Sequence, residues 1–559
     1  MPTPFLSWVA AFAVAQIHLP GTSSVSVAMI PPVVCKTCHA GFADTAAWTS
    51  WAGSAMSLAA KDPLFLSAVT EAEKDYPGVG DYCLRCHAPE AWVQGRCFPT
   101  DGSGLQSDDT GVTCSTCHRM DPSPWLRNGQ YLIGDDLEMR GPIPDAQAPH
   151  RTRTSTFTGS SELCGACHDL RNPLVFRRNL DGTPTNQPFP EQTTYTEWKT
   201  SAFATEGKTC ASCHLPKMTG EVAFGGPERQ RSSHELAGGN LFLLGAIGFL
   251  EPGLGIDDEL ELGKLRIRAT MRTAASLALV DAAQVLRRGE VAQVQLRVTN
   301  LTGHKLPTGY PEGRRVWLQV ESPVLGIDRG DYDETTKEPV DPAALYHTVQ
   351  GQLGVGPSIR LVLNDAIFFD NRIPPRGFVP TATTAPVGKS YPEVSPGVLA
   401  HWDDVTVTAT VPCDPAITTA TLQATLWHQS VTKRYVDQLV AENGAHPRGQ
   451  RLQLAFDEAD PGPLEVTRLT VSLPIDERST CAEPDAGFPD LGMTDAMNAD
   501  TGPVLPDAGM VIDAGSPVDE EGGCSCRSES SRPRAGGLIG SLLLCLLGLG
   551  VRSRKGKLR

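Results

Sequence analysis

The stretch "GVTCSTCHRM", residues 111–120, places Cys114 and Cys117 two residues apart and follows them at once with His118. A Cys-x-x-Cys pair can hold zinc, run dithiol chemistry or close a disulfide. Repetition separates these. The same spacing recurs at Cys35-Lys36-Thr37-Cys38-His39, Cys83-Leu84-Arg85-Cys86-His87, Cys164-Gly165-Ala166-Cys167-His168 and Cys210-Ala211-Ser212-Cys213-His214, five copies in 559 residues. Zinc pairs need no His fixed at the next position. A thioredoxin-like site needs one pair near a βαβ pattern, not five without one. Cys-x-x-Cys-His is the attachment signature of c-type haem. The two thiols form thioethers with the haem vinyl groups, and the adjacent His lies under the iron. Five covalent haem c groups are therefore expected. Cys35, Cys38, Cys83, Cys86, Cys114, Cys117, Cys164, Cys167, Cys210 and Cys213 would bind them, with His39, His87, His118, His168 and His214 as proximal iron ligands.

Ten of the 16 cysteines are used in this way; Cys97, Cys413, Cys481, Cys524, Cys526 and Cys545 are not. The spacing does not decide whether Cys413 and Cys481 pair. Covalent haem is attached outside the cytoplasm, so export is expected. The apolar run Phe5–Ile17 and the small-x-small site Ser26-Val27-Ala28 read as a signal peptide over residues 1–28, although no Lys or Arg precedes the run. A formal net charge of −16 leaves no basic stripe for phosphates and argues against nucleic acid. It suits a cationic or neutral redox partner, such as another redox protein or cytochrome.

Composition and periodicity divide the chain and predict an α+β protein. Residues 29–256 hold every haem motif and are rich in Gly, Pro, Ser and Thr, as expected of a mainly α, loop-rich pentahaem cytochrome c domain. Residues 257–284 read as a connecting helix. The period then changes to two: Val294, Leu296 and Val298 alternate with Gln295, Arg297 and Thr299. Further strands are expected in "RRVWLQVES", "IRLVLND", "DVTVTATV", "TATLQATLWH" and "LEVTRLTVSL", and a helix in "KRYVDQLVAEN". Together they predict an antiparallel, β-sandwich-like domain over residues 285–478. Residues 479–522 are acidic, rich in Pro, Gly and Ala, and repeat Pro-Asp-Ala-Gly; they read as a disordered linker.

The last segment, 523–559, joins "GGCSCRSES", the apolar "AGGLIGSLLLCLLGLGV" and the basic "RSRKGKLR". It resembles the C-terminal surface-sorting signal of myxobacterial proteins, with Cys524 and Cys526 carrying the match. The resemblance implies processing near these cysteines and a cell-surface or membrane tether. A plain C-terminal anchor is the alternative reading, for which the apolar span is short.

Six-coordinate iron needs a second ligand. His150 lies between the third and fourth motifs, and His234 precedes Gly238-Gly239 after the fifth. His304, in "NLTGHKLPTGYPEGRR", falls in a loop between expected strands. All three are candidate iron ligands, His304 by reaching across from the β region. "WTSWAGSAMS" resembles the Trp-x-x-Ser-x-His segment of many multihaem cytochromes, with Met56 where His is usual; "EWKTSAFA" repeats it with Phe203 there. Met56 is a fourth candidate, and a Met ligand raises the reduction potential relative to His. Phe203 cannot ligate, so a haem without a protein sixth ligand is one route to an active site.

Across residues 30–310 the five motifs, the Trp51 and Trp198 segments and "TGHKLPTGYPEGRR" resemble the multihaem cytochrome c superfamily, which includes tetrahaem electron carriers and pentahaem nitrite reductases. The resemblance implies haems stacked edge to edge. Those reductases often carry Lys in place of the catalytic haem's proximal His, and no Cys-x-x-Cys-Lys occurs here. Electron transfer by an exported, surface-tethered cytochrome is the leading expectation, with no catalytic residue assigned. A haem oxidoreductase acting on a small nitrogen or oxygen species at an open iron is the alternative.

Overall fold

The computed structural model describes residues 19–24, 27–144, 146–460, 462–479 and 481. The apolar run Phe5–Ile17, nearly all of the linker, and the tail with Cys524 and Cys526 lie outside the described residues. Helices and strands are mixed, and no described helix is long and apolar enough to cross a membrane.

In the first half, short helices alternate with two-stranded ribbons. Four haem motifs end a helix: Pro32–His39, Gly80–His87, Cys114–His118 and Cys210–His214. The helix Ser161–Gly165 stops inside the fourth motif, but His168 N–H still bonds Cys164 O at 2.9 Å. Positions i, i+3 and i+4 share one face of a helical turn. Both cysteines and the histidine of each motif therefore point the same way. At the fifth motif a capping box between Thr209 and Ser212 starts the turn.

The period-two segments form two sheets. In chain order the strands are β1 Ala275–Leu279, β2 Leu286–Arg288, β3 Val291–Asn300, β4 Arg315–Ser322, β5 Ile327–Arg329, β6 Ala344–Tyr346, β7 Trp402–Thr410, β8 Thr419–Gln429 and β9 Leu464–Ser479. One sheet has the order β7-β3-β1; the other runs β2-β9-β8-β4-β5, with β6 also on β4. Pairing is antiparallel except between β2 and β9. Val294, Leu296 and Val298 turn inward and share a core with Val316, Leu318, Leu422, Leu426 and Val466 from the other sheet. Each such buried aliphatic side chain contributes about 1.5–3 kcal/mol. "IRLVLND" forms a single 3-10 turn, Leu361–Leu363, not a strand. Asn364 Nδ2 bonds Ser358 O across it, which curls the segment on itself.

The two halves share further cores. The helix Pro63–Asp75 packs through Leu64 against Tyr435, Val436 and Leu439 of Lys433–Asn443 and Leu452 and Phe456 of Pro447–Ala459. The helix Leu241–Leu250, apolar on all sides, joins that cluster through Phe242 and the sandwich core through Leu244. The helices Ala47–Ala52 and Asp257–Met271 meet at Gly53 and Gly263. A Cβ on Gly263 would stand 1.9 Å from Gly53 O, so neither position has room for a side chain. Thr22 N–H bonds Tyr131 O and buried Arg119 bonds Ala28 O, which ties part of the segment read as a signal peptide to the haem region.

Candidate haem sites

Each motif histidine needs one ring nitrogen free for iron and a partner for the other. His39 Nδ1 bonds Val222 O at 3.1 Å, His118 Nδ1 bonds Arg140 O at 2.7 Å and His214 Nδ1 bonds Ala237 O at 2.7 Å. His168 Nδ1 meets the Gln192 side-chain amide at 3.2 Å; with the amide turned, its oxygen accepts. The His87 ring lies flat on Phe65 at 3.8 Å, with the backbone of Ala59 beside it. A proton held at Nδ1 leaves the Nε2 lone pair to a metal and fixes the ring plane. Burial pushes His87 and His168 down to about 4, so both imidazoles are neutral, the form that ligates.

Three non-motif histidines stand opposite motif histidines. Ring centroids are 6.5 Å apart for His39 and His150, 6.0 Å for His118 and His234, and 6.5 Å for His214 and His304. Two imidazoles on one metal, with metal–nitrogen bonds of about 2 Å, put their centroids about 6.3 Å apart. Each pair leaves room for one iron. His150 and His304 also hold Nδ1 on backbone carbonyls, of Arg151 and Lys305. No ring stands opposite His87 or His168 in this way among the described residues. His347 packs on Phe369, His401 on Trp402, and His446 caps a helix. His428 lies buried in β8.

The two Trp segments occupy equivalent places. Trp51 Nε1 donates to Val112 O, two residues before Cys114; Trp198 Nε1 donates to Lys208 O, two residues before Cys210. Phe203 lies next to Gly303, beside His304. The loss of a ligand at 203 thus falls where His304 already faces His214. Met56 holds the corresponding place near the third motif, where His234 faces His118 and His234 N–H bonds Ser50 Oγ. Met56 stands outside the three histidine pairs.

A buried ionic network, missed by sequence reasoning, holds the His304 loop. Glu197 Oε2 accepts from Lys305 N–H at 3.1 Å and Thr308 Oγ1 at 2.9 Å. Lys305 Nζ reaches Asp370 Oδ2 at 2.7 Å, and Arg372 spans Asp370 at 2.8 Å and Glu197 at 3.2 Å. All four side chains are buried. Burial alone would raise the Asp370 carboxyl, but Arg372 and Lys305 hold it far below the usual carboxylate range.

Cysteines of different motifs also meet. The Cys35 side chain interacts with Cys114, Cys164 with Cys210, and Cys86 with Cys167, while Cys117 lies near both Cys164 and Cys167. The motifs therefore connect in the order first, third, fourth, fifth, with the second joined at the fourth. Cys38 and Cys213, at the two ends, are exposed. No cluster of three or more His, Cys, Asp or Glu is arranged to hold a bare metal ion among the described residues. Cys413 and Cys481 form a disulfide, as an oxidising compartment permits. Cys97 is a buried core thiol.

Among solved structures, the chain is similar to a penta-heme cytochrome c552 from Thermochromatium tepidum, at 15% identity and a TM-score of 0.46, over 80% of this chain and 99% of that one. It is also similar to AvmM, which catalyzes macrocyclization in alchivemycin A biosynthesis, at 11% identity and a TM-score of 0.14, over 38% of this chain and 93% of that one. No protein-family model matches, and no curated protein matches.

Proposed function

We propose that this protein is an exported pentahaem c-type cytochrome that transfers electrons along a branched array of covalent haems. The observation that carries the reading is the set of three opposed histidine pairs, each built on a Cys-x-x-Cys-His motif and spaced for one iron. Bound haem supplies one-electron iron chemistry. The chain does the rest. Ten cysteines tether the groups, Nδ1 contacts aim the imidazoles of His39, His118, His168 and His214, and the His304 loop closes one site from the β region. Proximity of cysteines from neighbouring motifs supports closely spaced attachment sites, and the exposed ends at Cys38 and Cys213 suit exchange with other redox proteins. The C-terminal segment would tether the protein at the cell surface.

A second reading, a haem oxidoreductase acting on a small nitrogen or oxygen species, draws on His87 and His168, which face no partner imidazole among the described residues. Steady-state assays of the purified holoprotein separate the two. Electron exchange with a small cytochrome, and turnover of nitrite, hydroxylamine and peroxide no faster than simple haem, fits the carrier. Rapid turnover of any of these favours the enzyme.

A further inference from the structure

Val222 O, Arg140 O, Ala237 O and the Gln192 amide serve Nδ1 of His39, His118, His214 and His168. His87 departs from this pattern. Its Nδ1 is shielded from water and meets no hydrogen-bond partner among the described residues; the Ala59 backbone beside it is not in bonding geometry. The ring is held by its face instead. His87 and Phe65 stack with centroids 3.8 Å apart and planes 1° from parallel.

Phe65 is itself fixed. It is buried in one core with Ala60, Val69, Leu84 and Ala88. It stands in the first turn of the helix Pro63–Asp75, where Pro63 leads and the Asp62 carboxylate accepts the Leu64 N–H at 2.9 Å. The preceding turn is pinned on both sides: Ala60 N–H bonds Thr110 O at 2.9 Å, and Val112 N–H bonds Met56 O at 2.8 Å. A stack on a rigid wall restricts rotation of the imidazole as a hydrogen bond would, but leaves its electronics alone.

That difference has a redox consequence. An Nδ1–H bond to an acceptor makes the imidazole a stronger base at Nε2, which favours ferric iron and lowers the reduction potential. The second and fourth motifs differ in this bond, adjoin through Cys86 and Cys167, and face no partner imidazole among the described residues. Resting on the haem reading above, we propose that Phe65 is a positioning residue for the second haem. The missing Nδ1 bond gives that haem a higher potential than the fourth, so electrons reaching the branch collect at the second motif.

Redox titration of the full-length holoprotein, followed by absorption and EPR, tests this. Gln192→Leu should raise one midpoint by about 59 mV, a tenfold shift in a one-electron equilibrium, and Gln192→Glu should lower the same one. Phe65→Leu frees the ring to turn Nδ1 onto the Ala59 backbone. It should lower a different, higher midpoint and broaden its EPR signal. Phe65→Tyr keeps the stack and should leave both as in wild type. A folded Phe65→Leu protein with five haems and every midpoint in place overturns the proposal. So does a uniform shift of all five, the mark of general loosening, or a Gln192 pair that moves no midpoint or moves the higher one. The Gln192 pair decides the matter if Phe65→Leu fails to fold. Any of these results leaves electron exchange with a small cytochrome intact, whereas peptide mass spectra without haem on Cys83 and Cys86 would remove the haem reading as well.

Discussion

His304 faces His214 across 6.5 Å, although one lies in a loop between β3 and β4 and the other ends the fifth haem motif. The pairing brings the β region to the fifth Cys-x-x-Cys-His motif. His304→Ala should create one additional high-spin haem that binds cyanide. His304→Met should keep that haem low-spin and raise its reduction potential. EPR and a redox titration check both.

The loop bearing His304 depends on the Glu197–Lys305–Asp370–Arg372 network. Removing one member leaves a buried charge without its partner, which costs about 3–5 kcal/mol. Asp370→Asn should therefore lower the melting temperature sharply and loosen His304, broadening one low-spin EPR signal. Joint replacement of Lys305 and Asp370 by Met and Leu should restore much of the stability, as thermal unfolding would register.

The same network fixes a pH response. Asp370, and Glu197 beside it, are held below their ordinary values in the folded state by Arg372 and Lys305, against the effect of burial. A carboxyl with a depressed folded value stabilises fully above its unfolded value, about 4, and that stability is lost as pH falls further. Stability should thus drop below about pH 4, and less steeply in Asp370→Asn. Urea unfolding at a series of pH values measures the slope.

The Cys413–Cys481 disulfide closes a loop of 68 residues at the end of β9. Chain-entropy arguments assign such a loop about 4 kcal/mol. Replacing both cysteines by Ser should lower the melting temperature, while the haem spectra remain those of wild type.

The attachment motifs are legible because Cys-x-x-Cys-His is local: five residues specify each one without tertiary help. His150, His234 and His304 are expected as ligands from their settings near loops and turns, and the fold sets each ring opposite a motif histidine. What was hidden depends on distance in sequence. Glu197 and Asp370 look like ordinary surface acids until folding buries them on Lys305 and Arg372. Phe203 reads as a lost ligand, yet the fold supplies His304 beside it. The strand expected in "IRLVLND" curls into a turn through Asn364. The helix Pro447–Ala459 did carry a signal, Pro at its first position with Leu452, Ala455 and Phe456 on one face.

Low-temperature EPR of the oxidised, full-length holoprotein, before and after cyanide, tests the central claim most directly. Three low-spin haems with paired histidines that cyanide leaves untouched are the expected result. Fewer than three histidine-paired signals, or conversion of any of the three by cyanide, would contradict it.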